Sequence, residues 1–438
     1  MKTKLIAALI AAAFAAPVFA QSSITIYGIA DAGLHLTSNG EGTKTRLVSG
    51  IADGSRLGFK GSEDLGGGYK AIFNLEARFE LDTGDNKAKS LSDNVGFGLT
   101  RGLTFPVPAP SAAPLAAAAM SAARTVTNPS TPVVNSTGAL FDRTSMVGLI
   151  TPVGAVLAGR MYTPGYEILA SGDTFETGTA GAWGSLTGGA GGLLTAGVAI
   201  RSDKAIQYRI ELPNGIGAAL MYGFKNSGYV GLDDKFWAAN VKYKANGFDV
   251  GVGYNHGTDQ NGNSGLITWT LAGSYALGDM KFFGGYHNMK NENSVIIPVA
   301  NAGWDAQVVP LLTAAAGPTG APLVAAYTAA FKAAIARNFF LDAASYTVGM
   351  HYRLGAGRIL GSISHVDDKT ANEANATQYA IGYDHNLSKR TDIYTVLAYI
   401  SNKNSAQYAG GAASAPGGFT SAAGESSKTF QVGVRHKF

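Results

Sequence analysis

Cysteine is absent from the chain, which excludes a disulfide framework, a thiolate metal site and a cysteine nucleophile. Charge is sparse: 15% of the 438 residues are Asp, Glu, Lys or Arg, and the net charge is only +4, too little to mark a nucleic-acid binder. The seven histidines are scattered, with no HExxH or other close spacing, so neither metal nor cofactor is expected. Long apolar runs are missing after the N-terminus. The nearest, Pro310–Phe340, is broken by Pro318, Pro322, Lys332 and Arg337, whereas a membrane helix needs about 20 apolar residues in a row. What abounds is glycine (58), with 19 tyrosines and 20 phenylalanines, a composition suited to many strands joined by tight turns.

Residues 1–20 differ from the rest. Lys2 and Lys4 precede an apolar stretch from Leu5 to Ala16, and Pro17-Val18-Phe19-Ala20 supplies a small-residue cleavage pattern. This is the order of a secretory signal peptide; the alternative, an N-terminal anchor, needs a longer apolar run than is present before polar sequence begins. The mature chain is expected to start at Gln21.

From there, period-2 alternation recurs in segments of about ten residues. Tyr69, Ala71, Phe73, Leu75, Ala77, Phe79 and Leu81 alternate with Lys70, Ile72, Asn74, Glu76, Arg78 and Glu80; Phe430, Val432, Val434, His436 and Phe438 alternate with Thr429, Gln431, Gly433, Arg435 and Lys437. Similar segments begin near 22, 54, 140, 153, 203, 215, 235, 247, 265, 279, 344, 357, 376 and 391. About sixteen such segments, an even number with alternating short and long links, predict a closed antiparallel transmembrane β-barrel over residues 21–438. A soluble sandwich would alternate as well, but these strands are long, many apolar faces end in Tyr, Phe or Trp, and the chain stops on an apolar-facing Phe438 that lets the last strand pair with the first.

Two segments break the pattern. One lies within about 90–139, where Phe105–Thr137 is rich in Pro and Ala, with room for a short helix near Ala116–Ala123. The other spans about 290–343, where Leu323, Tyr327, Phe331 and Ile335 recur every four residues on one helix face. Both read as long external loops. The glycine runs Gly66-Gly67-Gly68 and Gly188–Gly192 lack the Lys and Ser/Thr of a phosphate loop.

No catalytic constellation stands out, so a channel is expected in place of an enzyme, with a barrel hydrolase as the distant alternative. The informative residues are charges whose parity turns them inward, Arg56, Lys60, Lys70, Glu76, Arg78, Glu80, Arg143 and Arg160, with Asn74 facing the same way. A charge on the lipid side costs about 2–4 kcal/mol near the midplane. After Arg160, the stretch of about 162–200 is too long for a rim turn and carries Glu167, Asp173 and Glu176. Folded back into the barrel, those carboxylates would face a wall of Arg56, Lys60, Arg78, Arg143 and Arg160, and opposed charges across a gap filter solutes by charge. The plainer reading is that the arginines only pair with acidic neighbours.

Several motifs resemble one family. Ser55-Arg56-Leu57-Gly58-Phe59-Lys60-Gly61-Ser62-Glu63-Asp64-Leu65-Gly66-Gly67-Gly68, continuing to Glu76, is similar to the signature of the general porins of β-proteobacteria, as are Gly159-Arg160-Met161-Tyr162-Thr163-Pro164 and the ending Val432–Phe438. The resemblance implies a 16-stranded all-β barrel with an inward-folded third external loop, a homotrimer in outer-membrane lipid, passive passage of small ions and polar solutes, and no cofactor. It also implies that Phe438 is read by the outer-membrane assembly machinery, and that a second external loop within Ser90–Ala139 latches onto a neighbouring subunit. A substrate-specific channel of the same fold is the alternative function.

Overall fold

The structure, a computed structural model, describes residues 23–86, 91, 100–127, 139–187, 199–228, 234–415 and 417–438. The signal peptide read at residues 1–20 and the run Gly188–Gly192 lie outside the described residues. The chain order of strands is β1 (Ser23–Ser38), β2 (Thr43–Ser49), β3 (Arg56–Gly66), β4 (Tyr69–Arg78), β5 (Thr144–Thr151), β6 (Gly154–Tyr162), β7 (Arg201–Glu211), β8 (Ile216–Gly223) and β9 (Lys235–Ala245). There follow β10 (Phe248–Thr258), β11 (Ser264–Leu277), β12 (Met280–Asn291), β13 (Leu341–Leu354), β14 (Gly357–Asp368), β15 (Ala376–Asn386), β16 (Thr391–Asn402) and β17 (Ser427–Lys437).

Each strand pairs antiparallel with its neighbour, and β17 returns to pair with β1 from Ile29↔Lys437 to Ser38↔Lys428. The other edge of β1 is shared: its upper half pairs with β2 and its lower half with β3. Those two segments therefore occupy one position, and the wall is a closed 16-strand barrel. Strand two, expected over 54–64, thus has an upper half that its sequence did not reveal, because Thr43–Ser49 is short and Gly50–Ser55 interrupts it.

Gly50–Ser55 is a bulge turned into the barrel, with Ile51 fully buried. The Asp31 carboxylate on β1 holds it, accepting from the backbone N–H groups of Ile51 (3.2 Å), Ala52 (3.0 Å) and Asp53 (2.8 Å) and from the Tyr394 hydroxyl (2.6 Å). These donors have no ladder partner in a bulge, so the carboxylate replaces the missing strand bonds.

Alternation sets the two faces. Along β11, Trp269 and Leu271 are 52% and 58% exposed while Thr268 and Thr270 are buried. The outward face is the lipid side, where Tyr254 and Trp269 pack at 4.5 Å and Phe248 and Tyr275 at 4.4 Å between ring centres. At the seam, backbone bonds join Gly28 and Phe438 in both directions (3.0 and 3.1 Å). A Cβ on Gly28 would collide with the Phe438 ring, so the terminal ring lies over this glycine and covers backbone that lipid could not hydrate.

Among the described residues, five α-helices are separate from the strands: α1 (Ala113–Thr127), α2 (Pro164–Ser171), α3 (Ile296–Gly303), α4 (Val309–Ala316) and α5 (Ala321–Phe339). The four-residue period at 323–335 is the apolar face of α5, with Tyr327, Phe331 and Ile335 fully buried. The two long loops do not lie apart as separate decorations. Their helices share one apolar core with Trp304, with the upper ends of β12–β16, and with Tyr408 and Phe419 between β16 and β17.

Asp31→Ala leaves three bulge N–H groups without their acceptor, each costing about 1 kcal/mol or more when buried. The folded barrel should lose about 3 kcal/mol, and Asp31→Asn distinctly less, as read by heat-dependent gel mobility in detergent.

Candidate functional site

The inner wall has two sides. On the first, β3–β7 carry the arginines. Arg56 ion-pairs with Asp53 of the bulge, and Arg160 with Asp203. Arg143 lies 3.7 Å from Glu76 and donates to the Tyr162 hydroxyl at 3.2 Å. Arg201 donates to the same hydroxyl at 2.6 Å, so two guanidinium groups converge on one phenol oxygen. Arg78 is only 4% exposed; it bonds Asp142 at 3.1 Å, lies 3.7 Å from Glu80 and donates to the Ser414 carbonyl at 3.2 Å. Burial, only partly offset by Arg78, pushes the Glu80 carboxyl up to about 7. Ser414 belongs to the β16–β17 connection, which also reaches the bulge through Ala413 N–H to the Ile51 carbonyl at 2.9 Å. A second inward segment therefore covers Arg78, and Arg201, Arg143 and Arg160 are about as little exposed, at 3%, 6% and 7%.

The remaining predicted wall residues spread toward the short-turn end. Lys60 is exposed, with its ammonium 5.1 Å from the Tyr27 ring centre. Asn74 and Glu76 both accept from the Tyr27 hydroxyl, at 2.8 and 3.0 Å. Lys70 pairs in register with Asp64 beside the tight turn and is exposed at the rim, away from the Arg143 cluster.

The segment after β6 lines the second side. Thr163 caps α2, accepting from the Tyr166 N–H at 3.3 Å, with Pro164 in the first turn where no N–H is needed. Glu167 on α2 meets Arg209 of β7 in two bonds of 2.7 and 2.9 Å and accepts from Asn240 of β9 at 3.3 Å. Farther on, the Thr174 carbonyl bonds His351 of β13 at 2.6 Å. Glu176 meets Arg358 of β14 in two bonds of 2.7 and 2.9 Å. The Thr179 N–H reaches the Ile51 carbonyl at 2.7 Å, the Ala180 N–H reaches Gln431 of β17 at 2.8 Å, and the Trp183 indole donates to Ser345 at 2.8 Å. The segment follows the polar face from β9 round to β17 and the bulge.

This corrects the expected charge pattern. Glu167 and Glu176 are drawn to Arg209 and Arg358, which carry inward parity on their own strands, and turn from Arg56, Lys60, Arg78, Arg143 and Arg160. Asp173 faces no gap: it is buried and accepts backbone N–H bonds from Phe175 (2.9 Å) and Trp183 (3.0 Å). Burial, only partly offset by those bonds, pushes its carboxyl up to about 6. Burial would raise Glu176 too, but the paired hydrogen bonds and charge of Arg358 bring it down to about 2. Beyond Glu176 the charges continue: Arg358 also bonds Asp384 at 3.0 Å, while Arg435 bonds Asp392 at 3.1 Å and Asp53 at 3.2 Å and lies 3.7 Å from Asp384. Arg201, Arg209, Arg358 and Arg435 were all available to a parity argument in sequence; their partners were not.

A family model described as Gram-negative porin matches residues 7–405. The chain belongs to the Gram-negative porins. It is 27% identical to outer membrane porin protein 32 of Delftia acidovorans and 24% identical to an outer membrane porin of Bordetella pertussis, each over the full length of both chains. Among solved structures, it superposes on an anion-selective porin from Comamonas acidovorans with a TM-score of 0.63 at 24% identity, covering 95% of this chain and 100% of that one. A trimer form of OmpT from Vibrio cholerae gives 0.54 at 13% identity, covering 95% and 99%. This porin is thus an outer-membrane barrel and a passive diffusion channel.

Acid should release the inward segment of the porin only below about pH 4. Asp173, raised to about 6, favours the docked segment as pH falls from 6 toward 4, since the docked form binds its proton more tightly. Glu176, lowered to about 2, contributes docking that is full above about pH 4.5 and lost as pH falls toward 2. Open-channel noise in single-channel records should therefore rise between about pH 4 and 2, and Arg358→Gln should show raised noise already at neutral pH.

Proposed function

We propose that this porin is a general diffusion channel for hydrated ions and small polar solutes, with a preference for anions. The observation that carries this reading is the convergence of Arg143 and Arg201 on the Tyr162 hydroxyl, beside Arg56 and Arg160. The carboxylates of the inward segment are engaged elsewhere, by Arg209 and Arg358. The β3–β7 side is then answered only by carboxylates of its own wall, Asp53, Glu76 and Asp203, and a net positive field in a narrow polar channel concentrates anions. We read the active form as a homotrimer whose residues 1–20 are removed on export and whose Phe438 is recognised during assembly.

The inner-wall histidines favour a channel over a hydrolase. His35 bonds Gln431 at 2.9 Å, His287 bonds Thr270 at 2.8 Å and His351 bonds the Thr174 carbonyl at 2.6 Å; each joins strands or holds the loop.

Planar-bilayer recording of the purified mature protein under a potassium chloride gradient tests this. Conductance steps should be ohmic, closures should come in threes, and the reversal potential should have the sign of chloride preference. Arg143→Glu combined with Arg201→Glu should invert that sign; an unchanged reversal potential would remove these residues from the selectivity of the pore.

A further inference from the structure

We propose that residues 100–127 and the loop between β12 and β13 form a strap across the outer mouth of the barrel, a second size filter ahead of the inward segment. Arg101 follows β4, the third position in the wall, whereas Arg337 and Asn338 end α5, directly before β13 at the twelfth position. In a closed ring of sixteen, those positions are nearly opposite. Yet the Arg101 carbonyl accepts from both Arg337 Nη2 and Asn338 Nδ2 at 3.0 Å, and Arg101 Nη1 donates to the Ser405 carbonyl between β16 and β17 at 2.6 Å. Contacts between nearly opposite parts of the rim place main chain over the opening.

The strap is packed. Phe105, four residues beyond Arg101, stacks near Trp304 (5.9 Å) and Tyr327 (4.9 Å), and Trp304 lies 4.1 Å from Phe331 with nearly parallel rings. Trp304, Tyr327 and Phe331 are completely buried, and Leu186 of the inward segment enters the same core. A loop with this much buried aromatic surface opens rarely and presents a barrier of fixed size. At its surface Asp305 and Lys332 pair at 2.7 Å. Over the described residues 100–127 this segment makes its contacts with the β12–β13 loop of its own chain.

The test is exclusion of graded polyethylene glycols, added to one side of a planar bilayer holding oriented full-length porin. Polymers that enter the pore lower its conductance. The largest that enters from the outer side should be smaller than the largest that enters from the periplasmic side. Two variants should bring the outer limit up toward the periplasmic one: Arg337→Ala with Asn338→Ala, which removes both side-chain donors to the Arg101 carbonyl, and replacement of Ile296–Phe339 by a short Gly/Ser linker. Equal limits from both sides in the native protein, or a difference that survives in both variants, would overturn the proposal.

Discussion

A strand that faces lipid has no water to satisfy its backbone, so every N–H and C=O must find a partner in the sheet. In this porin the ladder between β1 and β17 meets that demand, and much of the remaining architecture follows from it. Closure fixes which parity is outward, and parity fixes which charges reach the interior. Where the ladder is interrupted, at Gly50–Ser55, the Asp31 carboxylate and the Tyr394 hydroxyl stand in for missing strand atoms. The break in strand two survives because its unpaired groups are satisfied from inside the barrel.

The interior is organised by arginines that serve two purposes. Arg209 and Arg358 immobilise the segment after β6 by gripping Glu167 and Glu176 on opposite parts of the wall. Arg143 and Arg201 instead share the Tyr162 hydroxyl, with Glu76 3.7 Å from Arg143. Burial matters as much as charge: Arg78 is screened by Asp142, Glu80 and the Ser414 carbonyl.

Parity made much of this legible in the bare sequence. A single inward charge in an alternating run, such as Arg143 or Arg160, can be placed without coordinates because a strand has only two faces. The α5 face was legible for a similar reason, from the spacing of Tyr327, Phe331 and Ile335. Partner choice was not, because Glu176 and Arg358 are far apart in the chain and meet only when a loop has crossed the barrel. Nor could the bulge be foreseen: its determinant is a carboxylate on a different strand. The helices of the two long loops were partly visible one at a time, but their common core depends on tops of strands from the far side of the ring.

Arg435 bears on the order in which such a barrel can be completed. It sits on the last strand to emerge, and its guanidinium faces Asp392, Asp384 and Asp53, carboxylates contributed by segments made earlier. Until β17 is in place, Asp392 lacks this cation while Asp384 and Asp53 keep Arg358 and Arg56, and a poorly solvated carboxylate without its counter-charge is costly. Joining the final strand therefore supplies backbone partners to the seam and cationic charge to the interior in a single event. A partly assembled wall is penalised twice over, which makes completion cooperative and leaves a truncated chain with little tendency to persist as an open sheet.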